Sequence, residues 1–561
     1  MNRIYKVIYS EVRNGYIVVS ELARRHGRST HSGRRKAAMT AAILTALVSL
    51  SWTGMTAEAA VQSKPLVVTE KGQTVTDDFD VKNCTNRAVL EIASSATADA
   101  DGVTSVNSKT ISGTYSNKNE ANGIWVQDNY PGTVNLADEM TVKVDATGNH
   151  YHSSGIYLEG VDTHHGNLNE SDAANKEYEN NGNQISSTTV KVGNGTTITV
   201  NAKAPEGKTG EYLNARALEN HFGHMTVGDN VNLSVTSEAF LLNQTSGFYS
   251  LFYGDTVIGN HFTSTAEAVA NKDTGETLIR ALESDHGHRG DQQFQAIAQN
   301  QLTMGSDAHL TSTLLVQSPD NQQQINNEGL VLSRTDFSIG DRLTVDTTQK
   351  EVKEVEQDPE KESSYGQGHA FGIFVQDTKT GTIGAGLKNT VTVNKRNDAF
   401  VNGIYLSGWE QKKINDQTYI PSEDDKKKDT TDISIKEDSH NDVTVTDSAV
   451  EAIRGIEMNS NSKLNLGKNG EMTVAQIRGK ADVVNGIDII SGSTIQMGDN
   501  SQAHIMIDSG NTGFINGINA QSQSNVILGN GNQQTIRING GTVTDVYGTA
   551  VYSFLKHNKI A

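Results

Sequence analysis

The chain has 561 residues, six prolines, a single cysteine and a net charge of −19. That charge repels nucleic acid and anionic membrane, so neither is expected as a partner. The 52 glycines, the sparse helix formers and the β-branched residues at every second position argue against a helical enzyme and for many short strands.

The first 59 residues read as an address. "AAMTAAILTALVSL" (37–50) is an apolar core preceded by Arg34, Arg35 and Lys36 and followed by "SWTGMTAEAA". It is too short for a membrane span, and Ala57 and Ala59 fit signal peptidase, which places cleavage after Ala59. Without these residues, which hold nine of the 47 basic and three of the 66 acidic side chains, 38 basic residues face 63 acidic ones, a net of −25. Further upstream stand "MNRIYKVIYS" and "GYIVVSELARR". This stretch resembles the extended signal peptide region of Gram-negative type V secretion systems. The resemblance implies export by the Sec translocon, processing by signal peptidase, and passage through an outer-membrane β-barrel translocator. It covers residues 1–30 and does not choose among classical autotransporters, trimeric adhesins and two-partner exoproteins.

Residues 60–120 read as an amino-terminal cap with the first rung or rungs, and Ala88 in "RAVLEI" as a possible anchor. From 121 to the end a 31-residue clock takes over. Its first anchor is a small residue followed by apolar alternation: Gly123, Gly155, Ala217, Gly247, Ala281, Gly329, Gly372, Gly403, Gly455, Gly486, Gly517 and Gly548. Twelve residues on comes a second anchor, as in Gly467, Gly498 and Gly529, and nineteen more lead to the next first anchor. Three alternating strands per unit, with Gly and Asn at the corners, describe one rung of a right-handed parallel β-helix. The small first anchor is expected to allow a corner or a close backbone approach, and Asn402, Asn485 and Asn516 before it to suit turn geometry. Twelve such rungs would span roughly 55–60 Å. No heptads run through the chain, which argues against the trimeric branch.

Three units carry long insertions between first and second anchor: 161–184, 284–296 and 409–430. All leave at one corner, three rungs apart, and would emerge along one side at intervals of about 14 Å. Such a side commonly binds partners in repeat proteins. Its candidate binding residues are His164 and His165, the tripeptide Arg289, Gly290 and Asp291, which resembles an integrin-recognition motif, and Trp409. A fourth, charged insertion near 347–365 leaves at another corner.

Chemistry is thin. The histidine pairs His150/His152, His164/His165 and His286/His288 read as solvated and lack converging partners, so no metal is expected. The acidic pairs of "VTDDFD" (75–80) and "SEDDKKKD" (422–429) do not occupy alternating strand positions. No serine elbow or triad is legible, so no catalytic residue and no cofactor is assigned. Cys84 reads as a small buried residue. No β-barrel pattern occurs, and the sequence stops partway through a rung, so an incomplete passenger is expected. The reading is an exported adhesin, displayed on or released from a Gram-negative cell, that binds a host or bacterial surface protein or glycan. The alternative is a secreted β-helical carbohydrate-active enzyme.

Overall fold

The computed structural model describes the chain except for residues 1–4, 11–14, 21–59, 71, 94–101, 128–131, 149–150, 160–187, 205–211, 222, 240–241, 252–253, 271–275, 286–299, 317–323, 352–367, 397, 409–412, 415–416, 419–430, 553–558 and 561. The chain falls into two compact units. In the first, Tyr5–Ser10 and Gly15–Ser20 pair as antiparallel strands. The second, Ala59–Gly287 with Ile297–Ala561, is a parallel β-solenoid.

Three parallel sheets of fourteen strands each build the solenoid, and each strand pairs only with its counterparts one rung before and after. One rung runs Lys480–Ile489, Thr494–Met497 and Gln502–Asp508, after which Asn511–Gln521 lies on Lys480–Ile489. We call these three the anchor sheet, the short sheet and the third sheet. The 31-residue clock is their register: Ile487 pairs with Ile518, Ile495 with Val526 and Ile505 with Ile536. Inward residues alternate with outward ones, as in Thr141–Thr147, where Val142, Val144 and Ala146 are buried. Like therefore stacks on like, and the apolar columns run from rung to rung as buried clusters that no single rung could form.

Two strands of the anchor sheet precede the twelve marked by the anchors, Leu66–Val68 and Ala88–Ile92. Fourteen rungs span roughly 60–65 Å. The anchor in the second of these strands is Val89 rather than Ala88, because Asn122 pairs with Ala88 and Ile124 with Leu90. A bulky anchor is tolerated there because the small residue sits opposite: a Cβ on Gly113 would lie 2.5 Å from the Val89 side chain.

The second anchors stack backbone on backbone. A Cβ on Gly498 would lie 2.5 Å from the Gly467 carbonyl carbon, and one on Gly529 2.6 Å from that of Gly498. Two residues beyond each comes a left-handed residue, as at Asn230 (φ 58°), Asp307 (61°), Asn469 (57°) and Asn500 (59°). Between them, short polar side chains tie each rung to the next. Asp229 Oδ1 accepts from Asn260 N (2.6 Å), Asn260 Oδ1 from Ser306 N (3.0 Å), and Asp341 Oδ1 from Ala385 N (2.9 Å). This corner is thus a polar ladder in αL geometry, which Asn, Asp and Gly accept most readily.

Candidate groove on the anchor sheet

The first anchor lies inside a strand, not at a corner. Strand register is kept on both sides of it, with Asn485 on Asn516 and Ile487 on Ile518, but skips the anchor itself. Both the anchor and the residue after it point inward. A Cβ on Gly123 would meet Val142 of the third sheet at 2.5 Å, while Ile124 is fully buried in the core. Two successive inward residues mean that the strand bends toward the third sheet. At the glycine anchors an added side chain would press on the next rung: Cβ atoms on Gly455 and Gly486 would lie 2.7 Å and 2.6 Å from the carbonyl oxygens of Gly486 and Gly517. The bend also frees anchor carbonyls from the ladder, and inward polar side chains of the third sheet supply donors. Ser264 Oγ donates to Ala281 O (2.6 Å), Asn389 Nδ2 to Gly403 O (2.8 Å) and Asn441 Nδ2 to Gly455 O (2.8 Å). The pinch splits the interior. Val391, Val393, Val401, Val443 and Val484 form an apolar cluster apart from the one holding Ile404, Ile456 and Ile487.

Outside, the same bend makes a groove. The residues one before and two after each anchor face outward and converge across it. Three rungs place Arg and Glu there, within "RALE" (216–219), "RALE" (280–283) and "RGIE" (454–457). Arg216 and Arg280 each bind the Glu three residues on, and Arg454 Nη1 lies 3.3 Å from Glu457 Oε2.

The first cluster gathers around Glu219, which is fully buried. His152 Nε2 is 2.6 Å and His221 Nε2 2.8 Å from its carboxylate, and the Arg216 guanidinium lies 3.7 Å from the Tyr249 ring centre. Burial pushes the Glu219 carboxyl up, but Arg216 and the two histidines overcome it and hold it well below the usual range. Burial, opposed by Glu219, pushes His221 down. In the second cluster Arg280 Nε reaches Glu328 Oε2 (2.5 Å), and His369 Nε2 lies 2.7 Å from Glu328 Oε1. Burial raises Glu283 despite Arg280, whereas Glu328, buried too but held by Arg280 and His369, falls to about 2.

Next along the groove comes an aromatic block. Phe371, Phe374 and Tyr405 lie nearly parallel, with centroids 5.1–5.9 Å apart, and His369 stacks on Phe371 at 4.1 Å. The third charged cluster follows. Arg454 Nε donates to Asp488 Oδ2 (2.7 Å), Asn402 Nδ2 to Glu457 Oε2 (2.7 Å) and Asn519 Nδ2 to Asp488 Oδ1 (2.9 Å). Burial raises Glu457 against the pull of Arg454, and Asp488 adds to the rise.

Asn402, Asn485 and Asn516 are therefore groove residues rather than turn residues: they are buried within strands, and Asn516 Nδ2 donates to Asn485 Oδ1 (2.8 Å). His152 also departs from the solvated reading, being a buried strand residue held by Glu219. The acidic run 75–80 departs from expectation by reaching alternating strand positions: Asp78 and Asp80 alternate with buried Phe79 and Val81 in Asp78–Val81. Their carboxylates tie to the next rung, Asp78 Oδ1 accepting from Lys109 N (2.6 Å) and Asp80 Oδ1 from Ser112 Oγ (2.8 Å), while Asp77 Oδ2 accepts from Gln62 (2.8 Å). Cys84 is buried beside the backbone of Ala88. His164, His165, Arg289, Gly290, Asp291 and Trp409 lie outside the described residues, as do Ala57 and the loop run 422–429; Ala59 does too. The insertions leave from the ends of anchor-sheet strands His152–Glu159, Glu276–Asp285 and Asp398–Ser407, each three strands from the next in the sheet. Ser284 and Asp285 belong to the strand rather than to the second insertion. The fourth begins only after the strand Thr344–Glu351. Among the described residues no His, Cys, Asp and Glu side chains group as a metal site. The recurrent Arg-x-x-Glu was the signal by which the groove could have been found in the sequence.

Residues 1–50 match the family model of the extended signal peptide of the type V secretion system. The chain carries a type V extended signal peptide. That signal peptide implies Sec-type export across the Gram-negative envelope and a type V translocator as partner. Behind it stands a passenger-like parallel β-helix. No curated protein and no solved structure matches the chain.

Proposed function

We propose that the chain is an adhesin, displayed at the cell surface after export, that binds along one side of a rigid rod. The observation that carries this reading is the placing of the insertion stems. Glu159, Asp285 and Gly408 all end or follow strands of the anchor sheet, at every third rung, beside the groove. Repetition of weak contacts along a stiff body raises avidity without any one contact being strong. The test is deletion of 161–184, 286–296 and 409–430, singly and together, in cells displaying the protein. Adhesion to host cells should fall with each deletion and vanish in the triple one. Parental adhesion by the triple deletion would overturn the reading.

A second reading, a secreted carbohydrate-active enzyme, is favoured by one observation. Glu283 and Glu328 share Arg280, yet one is pushed up and the other down, which is how an acid and a carboxylate base are set apart. New reducing ends from pectin or other glycans incubated with the protein would support it, and their loss in Glu283→Gln would tie them to this pair.

A further inference from the structure

We infer that the groove between Phe374 and Asp488 is a subsite for a neutral, hydroxyl-rich sugar unit; the inference rests on the adhesin reading and names the chemistry it would recognise. Three observations meet there. Phe374 and Tyr405 present parallel rings, 10° apart and 5.1 Å between centres, and both are partly exposed. Stacked on one another, the two rings leave their exposed edges as an apolar flank against which the C–H face of a pyranose ring, an apolar surface with polar edges, can pack.

Beside this flank, Asn402 and Arg454 are direct neighbours in register. Asn402 gives its Nδ2 to Glu457, which orients the amide, and its buried Oδ1 is left without a donor. Arg454 gives its Nε to Asp488, and its buried Nη1, though 3.3 Å from Glu457, makes no hydrogen bond of good geometry. An open acceptor next to an open donor is the complement of one hydroxyl group, which donates and accepts at once. Leaving both open costs free energy that a ligand hydroxyl would recover.

Charge then selects among sugars. One guanidinium, Arg454, faces two carboxylates, Glu457 and Asp488, so the cluster carries excess negative charge. A uronate, sialate or sulfate would be repelled, and an uncharged sugar would not.

The test is titration calorimetry of the purified protein with an array of neutral oligosaccharides and, as polyanion, a heparin hexasaccharide. Saturable binding of a neutral glycan is expected, with none of the hexasaccharide. Tyr405→Ala and Asn402→Ala should each weaken binding at least about tenfold, the loss of one apolar ring contact or one hydrogen-bonded contact. Thr392→Ala, on the outer face of the third sheet, should not, and unchanged circular dichroism would show that the variants fold. Absence of neutral-glycan binding, or binding indifferent to both Tyr405→Ala and Asn402→Ala, overturns the subsite. Cell adhesion separates this from the parent reading. Adhesion without glycan binding sinks the subsite alone, and glycan binding without adhesion sinks the adhesin alone.

Discussion

Arg280 and Glu328 sit opposite each other in register on successive rungs, Nε to Oε2 at 2.5 Å, with Glu328 buried and Arg280 mostly so. The same guanidinium also holds Glu283. Arg280→Met would leave two carboxylates in a low-dielectric groove with one cation fewer. A loss of about 3–5 kcal/mol is expected, because removing one partner strands the other charges. Urea unfolding at neutral pH checks this. A loss under about 1 kcal/mol would mean that water reaches the groove and screens the cluster.

The anchor bend predicts a size limit. Gly486→Val would push its Cβ against the Gly517 carbonyl, which sits in a rigid stack. A penalty of about 1–3 kcal/mol is expected from this overpacking. Ala217 and Ala281 occupy the same position fully buried, so Gly486→Ala should cost less than Gly486→Val. Thermal melts of the two variants test the order.

Asp398 is fully buried, its carboxylate makes no hydrogen bond, and its nearest cation is Arg396 at 3.7 Å. Burial outweighs Arg396 and raises its pKa from 3.8 to about 7. Because the folded state holds the proton more tightly, the contribution to stability is fully present below about pH 4. It is lost as pH rises through about 7, a change on the order of 4 kcal/mol. Asp398→Asn should therefore be more stable than the parent at pH 7.5, with the advantage shrinking toward zero near pH 4. Denaturant midpoints across that range would show it, and a constant difference would contradict it.

The polar corner ladder predicts additivity. Asp229→Ala removes the acceptor for Asn260 N, and Asp341→Ala that for Ala385 N. Each should cost about 1 kcal/mol. The two sites lie three rungs apart, beyond the range at which mutations couple, so the double variant should lose the sum within about 0.5 kcal/mol. A clear excess would show that the ladder acts as one unit.

Much of the architecture was legible because a parallel stack forces equal spacing. Gly455, Gly486, Gly517 and Gly548 announce the rung length directly. What the spacing does not tell is where along a strand the glycine acts. Gly123 and Gly486 read as corner residues, but they serve a bend that depends on Val142 and Gly517, partners on another sheet or one rung on. Val89 escaped notice because its space comes from Gly113 on the facing strand. Asn402 and Asn516 differ from the turn residues their sequence suggests for a related reason: asparagine suits turns, but a buried asparagine also pairs with side chains on the neighbouring rungs. His152 looked solvated because its partner, Glu219, is only one rung away in space but, across an insertion, 67 residues away in sequence.

Parallel sheets usually bring distant segments together, and folding is slowed by the long loops that must close first. This solenoid avoids most of that cost. Ile456 meets Ile487, and Ile487 meets Ile518, each 31 residues on, so every pairing closes a loop of one rung and none spans the chain. Contact order stays low although all forty-two strands of the three sheets are parallel. Loop-closure entropy is met in small equal steps, and growth can proceed one rung at a time on whatever edge is already formed. The longest steps are the rungs with insertions, such as Tyr157 to Glu219, 62 residues. Those rungs are where growth should pause, which makes the loops kinetic markers along the rod as well as features of its surface.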